Sequence, residues 1–181
     1  LQELEELSAV CRERDLKLFI DGARLAYALA SPANDVTLAD LARLTDVFYI
    51  GGTKCGSLFG EAVVIPERGS IRQFVTHMKQ HGALLAKGRL LGVQFEALFE
   101  EGLYLTIGEP AVKATARIRE ALKRAGYVVT MDSPTNLTFV ALDQAGHERL
   151  SDKVRYSIWE TLPDGRLLAR IGTSWATPEE D

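Results

Sequence analysis

The segment KLFIDGARLAYALA, residues 17–30, and the segment VFYIGGTKCG, residues 47–56, decide the fold class of this sequence. Each begins with a short apolar run that is typical of a buried strand and continues into a turn that contains glycine. Between them, a capping-box pattern that begins at Thr37 predicts the start of a helix. Strands separated by helices indicate crossover connections and a mostly parallel sheet.

The other predicted elements extend outward from these two segments. Apolar residues recur at helical spacing before them, and a third apolar run that Pro66 ends follows them. The helical patterns cover residues 2–14, 67–80, 83–101, 109–125 and 147–161. The strand patterns after the second segment cover residues 62–65, 127–130, 137–142 and 166–173.

We therefore expect an α/β fold, in which a mostly parallel sheet is followed by a small α+β C-terminal domain. We place the boundary between residues 1–90 and 91–181. A length of 181 residues fits one domain, or one domain and part of a second, at roughly 100–200 residues per domain. Because Leu1 already lies in a helical pattern and residues 177–181 have the features of a helix start, we expect a piece of a longer protein.

The composition is that of an ordinary globular protein, with 46% apolar and 25% charged residues. The 21 basic and 25 acidic residues give a net charge of −4, which does not favour nucleic acid as a partner. No apolar run reaches the roughly 18 residues that cross a bilayer, so we expect no membrane segment. Cys11 and Cys55 do not have metal-ligand spacing, so we expect no metal site and a reducing compartment, with the cytoplasm as the default.

Three groups of residues can carry chemistry. Asp21 and Arg24 follow the first predicted strand, Lys54 follows the second, and Arg170 lies within the last. Ligands bind outside the carboxyl ends of strands in open parallel sheets, so the first two groups can share a site. A lysine in a partly desolvated loop readily supplies the free amine for a Schiff base, and an aspartate beside it suits a cationic ring nitrogen such as that of pyridoxal phosphate (PLP).

Each of these residues also has a purely structural explanation. Asp21-Gly after a strand is common turn chemistry, and Lys54 can be a solvated loop residue. Arg170 can be an ordinary strand residue, and Trp159 and Trp175 are most simply core or edge packing. No single motif therefore decides the function.

The combination of motifs is more specific than any one of them. DGARL at 21–25, GGTK at 51–54 and ARIGTSWATPEED at 169–181 resemble low-specificity threonine aldolases, in the aldolase/β-eliminating-lyase group of fold type I PLP-dependent enzymes. GALLAKGRLLGVQFEALF at 82–99 and DSPTN at 132–136 extend the resemblance through essentially the whole chain. The resemblance is to the C-terminal portion of that family, whose phosphate cradle and ring-stacking residue belong to an N-terminal half without a counterpart here.

The resemblance implies a role for each matching residue. Lys54 matches the lysine that forms the Schiff base, Thr53 a residue that lines the cofactor, and Asp21 the catalytic partner of the pyridinium nitrogen. Arg24 matches an arginine beside the cofactor and the substrate carboxylate, and Arg170 matches the carboxylate-binding arginine of the C-terminal domain.

Two further lysines fall where the family places basic residues near the site or near a neighbouring subunit's phosphate. By this resemblance we expect Lys79 on the substrate side and Lys87 on the cofactor side.

The same resemblance implies a PLP-dependent carbon–carbon lyase that cleaves L-threonine or allo-threonine-type β-hydroxy-α-amino acids to glycine and an aldehyde. The cofactor residues suit a β-eliminating lyase equally well, and the non-enzyme alternative is an inactive folded fragment. We expect a small-molecule amino-acid substrate and a homodimer or homotetramer. We also expect that the 181-residue piece is inactive on its own.

Overall fold

The computed structural model describes residues 1–178 of the chain. Two sheets are joined by a run of helices. The elements up to the end of the first sheet are α1 Gln2–Glu13, β1 Phe19–Ile20, α2 Leu25–Leu29, α3 Leu38–Leu44, β2 Val47–Gly51 and β3 Glu61–Val64. The connecting helices are α4 Phe74–Gln80, α5 Arg89–Phe99, a 3-10 turn Glu100–Gly102, α6 Leu103–Thr106 and α7 Glu109–Arg124. The second sheet and its helix are β4 Val128–Met131, β5 Leu137–Leu142, α8 Gln144–Ser151, β6 Ser157–Thr161 and β7 Leu167–Gly172.

The first sheet has the strand order β1-β2-β3. Strands β1 and β2 are parallel, with Ile20 opposite Phe48, because helices α2 and α3 carry the chain back to the same end of the sheet. Strand β3 differs from the expected parallel arrangement, since it runs antiparallel to β2. The physical reason is the connection: residues 52–60 contain no crossover helix, so the chain reverses direction.

The helix predicted at Thr37 begins as its sequence indicates. The Thr37 hydroxyl oxygen accepts a hydrogen bond from the Asp40 amide at 3.1 Å, and the Asp40 carboxylate accepts one from the Thr37 amide at 3.0 Å. This reciprocal pair satisfies two backbone donors at the helix start. The capping-box prediction is therefore confirmed.

The second sheet is antiparallel throughout, in the order β4-β5-β7-β6. The helix predicted at 147–161 is wrong in its second half, because α8 ends at Ser151 and residues 157–161 form β6. Ile158, Trp159 and Thr161 have side chains that favour strands, and pairing with β7 decides between the two structures.

Two apolar cores underlie the two sheets. Tyr27, Phe48 and Tyr104 lie in the first, and Val140 and Ala169 lie in the second. Helix α7 contributes to both, with its first residues in the first core and Leu122 in the second. This shared helix contacts both halves of the chain, with α2 in the first half and β4 and β5 in the second. No helix within residues 1–178 has the length and apolar character to span a bilayer.

Candidate active site

The turns after β1 and β2 lie against each other through two glycines. The Gly51 amide donates a hydrogen bond to the Gly22 carbonyl at 2.9 Å. A Cβ atom on Gly22 would lie 1.6 Å from the Tyr49 carbonyl oxygen, and one on Gly51 would lie 2.5 Å from the Gly22 carbonyl oxygen. Only residues without a side chain permit this approach. It brings the turn that carries Asp21 beside the turn that carries Lys54.

Asp21 is exposed, and its carboxylate is held by two donors. The Oδ1 atom accepts hydrogen bonds from the Ala23 amide, at 2.9 Å, and from the Tyr49 hydroxyl. The Tyr49 hydrogen bond is the main cause that lowers the pKa of Asp21, and the Ala23 amide and the positive charges of Lys54 and Arg24 lower it further. Asp21 is therefore an anion at neutral pH.

The Lys54 turn is anchored on both sides while the lysine itself is exposed. The Glu61 carboxylate accepts hydrogen bonds from the Gly52 amide at 2.6 Å and from the Thr53 hydroxyl at 2.9 Å. The Tyr27 hydroxyl donates to the Lys54 carbonyl oxygen. The backbone on either side of Lys54 is thus fixed, but the residues described do not supply the desolvation expected around its side chain.

Cys55, next to Lys54, is a buried structural residue. Its thiol donates to the Gly51 carbonyl at 3.1 Å, and burial raises the pKa of the thiol to about 11. A thiol in this state is neutral at pH 7, so it is not an activated nucleophile.

Arg170 is held by an aromatic pair instead of by a carboxylate. Its guanidinium carbon lies 4.7 Å from the centroid of the Trp159 ring, and that ring meets Phe139 edge-on at 6.0 Å. Within residues 1–178, Arg170 forms no ion pair. A guanidinium that stacks by its face keeps its N–H edge available for an acceptor.

Residues from both halves of the chain line one concave surface of about 550 Å³, which we call the Lys54 cleft. Its first-half members are Arg24, Tyr27, Thr53 and Lys54. Its second-half members include Asn136, Arg155, Arg170 and Trp175. The charged side chains that line the described part of this cleft are all basic, so it suits an anionic ligand.

The structure brings together most of the residues that the sequence singled out. Arg24, Thr53, Lys54 and Arg170 line the cleft, and the Asp21 carboxylate is close enough to be influenced by the charges of Lys54 and Arg24. Lys79 on α4 and Lys87 before α5 are exposed and do not line the Lys54 cleft in the part of the chain described.

Sequence reasoning did not assign several lining residues to the site, among them Tyr27, Asn136 and Arg155. The Tyr27 hydroxyl, besides its bond to Lys54, accepts a hydrogen bond from the Trp175 amide at 3.3 Å, which joins the two halves of the cleft. No local signal distinguishes Tyr27 from a core residue or Arg155 from a surface residue.

Asn136 had a signal, because it ends the DSPTN motif. It is buried, and its Nδ2 donates to the Thr173 carbonyl at 2.7 Å. Its Oδ1 has no hydrogen-bond partner within residues 1–178. A buried acceptor without a partner is costly, so this atom is available for a donor group of a ligand.

The donor set of this site fits PLP. A primary amine, Lys54, and a carboxylate, Asp21, suit the aldehyde and the ring nitrogen of that cofactor, and the guanidinium groups of Arg24 and Arg170 suit a carboxylate. No group of three or more His, Cys, Asp and Glu residues that can hold a metal ion occurs among the residues searched, which are those described.

Known proteins are similar to this chain over most of its length. A family described as β-eliminating lyase matches residues 1–145. The low specificity L-threonine aldolase of Pseudomonas sp. (strain NCIMB 10558) is 37% identical over 98% of this chain and 51% of its own length. The corresponding protein of Pseudomonas aeruginosa is 29% identical over 98% of this chain and 51% of its own.

Solved structures are also similar to this chain over nearly its whole length. The Leishmania major threonine aldolase has a TM-score of 0.92 and 45% identity, over 99% of this chain and 52% of its own. The Sphingomonas wittichii serine palmitoyltransferase, at 14% identity and a TM-score of 0.67 over 98% of this chain and 47% of its own, shows the fold alone.

These matches confirm the predicted fold class, since the neighbours are fold type I PLP enzymes. The chain spans about half the length of the curated relatives it matches. Because the family match covers most of the chain, the resemblance stated from the motifs is confirmed, and the chain belongs to the β-eliminating lyase family.

Proposed function

We propose that the full-length protein carrying this chain is a PLP-dependent carbon–carbon lyase that cleaves threonine-type β-hydroxy-α-amino acids to glycine and an aldehyde. The observation that carries this proposal is that Lys54 and Arg170 line the same cleft. Lys54 follows a strand of the first sheet, whereas Arg170 lies in a strand of the second sheet and far from Lys54 in sequence. The names of the relatives, which are threonine aldolases, support the choice of substrate.

We assign the cofactor to Lys54 and Thr53, which line the cleft, and to Asp21, whose carboxylate lies close enough to be influenced by the charge of Lys54. When bound, PLP supplies an electron sink for the pair of electrons released at the substrate α-carbon. Lys54 would hold the cofactor through its Nζ atom, which would condense with the cofactor's aldehyde with loss of water. Asp21, which its hydrogen bonds and the nearby positive charges keep anionic, holds the proton on the ring nitrogen.

We assign the substrate carboxylate to Arg24 and Arg170. Both line the cleft, and the Arg170 guanidinium lies over the Trp159 ring. A carboxylate that accepts two hydrogen bonds from one guanidinium group cannot rotate freely. Its orientation therefore determines which bond of the α-carbon is aligned for cleavage. In the proposed reaction the aligned bond is the one to the β-carbon.

Labelling the reactive lysine tests this proposal directly. Borohydride treatment of the PLP-loaded full-length protein, followed by peptide mapping, is expected to place the cofactor on Lys54. Label on Lys79 or Lys87 instead would contradict the assignment. The three lysines lie in different tryptic peptides, so the map separates them.

A β-eliminating lyase is the second candidate, because the family that matches residues 1–145 has that description. The same residues would hold the cofactor and the carboxylate, and only the leaving group at the β-carbon would differ. Product analysis separates the two reactions. Acetaldehyde with glycine from threonine supports the aldolase, whereas pyruvate with ammonia from a β-substituted alanine supports the eliminating lyase.

We further propose a subunit number, a compartment and a division of the chain. Exposed apolar residues on α5, such as Leu90 and Val93, support a homodimer or homotetramer, in which Lys87 would serve the cofactor and Lys79 the substrate of a neighbouring subunit. Both cysteines are free, which supports the cytoplasm as compartment. The two cores support a division into two parts, but the first core continues through Tyr104 to Val112, so the division that they favour lies within α7, later than the boundary expected at residues 90 and 91. Light scattering of the purified full-length protein tests the subunit number.

We propose finally that residues 1–181 alone do not turn over threonine. Their relatives are about twice as long, and binding of the cofactor's phosphate needs a nest of backbone amides that the motifs of this chain do not supply. Threonine turnover by a purified chain with a mass of 19.9 kDa would contradict this.

A further inference from the structure

The Asp21 carboxylate is hydrogen-bonded on one side only. The Ala23 amide, at 2.9 Å, and the Tyr49 hydroxyl both donate to Oδ1. Among residues 1–178, no group donates to Oδ2. An ionised carboxylate has about four acceptor positions on its two oxygens. The arrangement therefore places both donors on one oxygen and leaves the other without a hydrogen-bond donor among the described residues.

Strand pairing decides that Tyr49 makes this contact. Ile20 of β1 is opposite Phe48 of β2 in a parallel pair, so the next residues, Asp21 and Tyr49, are neighbours. Phe48 and Ile50 are buried on the core side of β2, and Tyr49, between them, has its side chain on the other face. That face is the one on which the Asp21 carboxylate meets the phenol.

The Tyr49 ring is itself held in place. It packs against Phe19 with ring centroids 5.9 Å apart, and its carbonyl oxygen touches the backbone at Gly22, where even a Cβ atom would not fit. The backbone of Tyr49 is therefore fixed against the Gly22 turn, and the contact with Phe19 supports its ring beside Asp21.

The protonation states of the pair suit a donor and an acceptor. The hydrogen bond to Asp21 raises the pKa of Tyr49 to about 12, with the negative charge of Glu61 contributing, so the phenol keeps its proton. The same bond lowers the pKa of Asp21, with Lys54 and Arg24 contributing. At neutral pH the contact is a neutral O–H donating to an anion, which is the stronger kind of hydrogen bond.

We propose that Tyr49 is a positioning residue, which fixes the Asp21 carboxylate so that Oδ2 is presented to the N–H of a cationic heteroaromatic ring. This rests on the proposed function, in which Asp21 is the partner of the pyridinium nitrogen. Tyr49 acts through Asp21 and does not itself touch the cofactor. Its contribution is to favour one rotamer of the Asp21 carboxylate.

The first test is Tyr49→Phe in the full-length protein, which retains the ring packing against Phe19 and removes only the hydroxyl. In the cofactor-free form, we expect the pKa of Asp21, followed by carboxyl-carbon NMR, to rise. In an absorbance titration with PLP, we expect the dissociation constant to increase about fivefold, less than for loss of a charge-assisted bond to PLP itself, because the hydroxyl acts only through Asp21. Tyr127→Phe, at a half-buried tyrosine that packs against the second core, is the matched control and should change neither quantity.

A double-variant cycle separates this inference from the proposed function. If Asp21→Asn leaves PLP binding and its absorption spectrum unchanged, Asp21 is not the ring-nitrogen partner and the proposed function fails at that residue. If Asp21→Asn weakens binding while Tyr49→Phe changes neither the Asp21 pKa nor the PLP dissociation constant, the positioning role is overturned and the proposed function stands. We expect Tyr49→Phe to have no further effect in the Asp21→Asn background.

The pair can also be tested without altering Tyr49. Tyrosine labelled at Cζ reports the Tyr49 pKa in the cofactor-free full-length protein. Asp21→Asn should bring that pKa down from about 12 towards the ordinary value of 10.0. An unchanged Tyr49 pKa would overturn the hydrogen bond on which the positioning role depends.

Discussion

The two sides of the Lys54 cleft hold their functional side chains in different ways. On the first sheet, Asp21 and Lys54 lie in turns just beyond strand ends, where close backbone packing at Gly22 decides their separation. On the second sheet, Arg170 lies inside β7, opposite Phe139, and is directed by the Trp159 ring. The first side therefore depends on backbone packing that tolerates almost no change, and the second on side-chain stacking that tolerates more.

Gly22→Ala should have the largest effect on stability, because Gly22 makes the closest backbone contact on the first-sheet side of the Lys54 cleft. A Cβ atom there would lie 1.6 Å from the Tyr49 carbonyl oxygen, and backbone cannot rotate away as a side chain can. We expect a loss of about 3 kcal/mol in the free energy of unfolding, measured by urea denaturation of the full-length protein.

Gly92→Ala is the control for this change, since a Cβ atom at Gly92 on α5 meets nothing within 4 Å. It should stabilise the helix by about 0.5–1 kcal/mol. A stable Gly22→Ala variant would show that the two turns are not held by backbone contact.

Asp21→Asn should retain the fold and lose most turnover. An amide cannot hold the pyridinium proton as a carboxylate does, so we expect kcat to fall at least about tenfold. Asp152→Asn, at an exposed residue after α8, is the control and should leave kcat unchanged. Steady-state kinetics on threonine decide the outcome, and near-normal turnover would show that another acid serves the ring nitrogen.

Arg170→Lys, on the second-sheet side of the Lys54 cleft, should weaken substrate binding and leave cofactor binding intact. Lysine supplies a point charge where a planar fork grips a carboxylate, so we expect KM for threonine to rise about tenfold while the PLP absorption band is kept. Arg166→Lys, in an exposed pair with Asp164, is the control. Loss of the PLP band with an unchanged KM in the remaining loaded enzyme would make Arg170 a cofactor residue or a structural one.

The smallest expected effects concern one helix cap from each half. Thr37→Ala removes the cap of α3, and Asp143→Ala removes the side chain that accepts from the Gly146 amide at 2.6 Å in α8. Each should cost about 1 kcal/mol in the free energy of unfolding, measured by urea denaturation. A much larger loss from either variant would mean that the cap also supports the core of its half.

The sequence alone determined the elements whose signals lie within a few residues. The capping box at Thr37, the apolar run of β2 and the turn residues around Asp21 and Lys54 are local patterns, and each was located correctly. The family resemblance came from the same kind of information, because its motifs are short runs with a definite order.

Only the tertiary structure decided which distant residues meet. Residues 157–161 form a strand because they pair with the edge of β7. Strand β3 is antiparallel to β2 because the segment that connects the two strands contains no helix. Tyr27, Asn136 and Arg155 joined the cleft through packing between halves, for which no local pattern exists. Hydrophobic periodicity and capping patterns depend on residues that are close together in sequence. The partner of a strand and the residues that line a cleft depend on burial and hydrogen bonding between segments that are far apart in the chain.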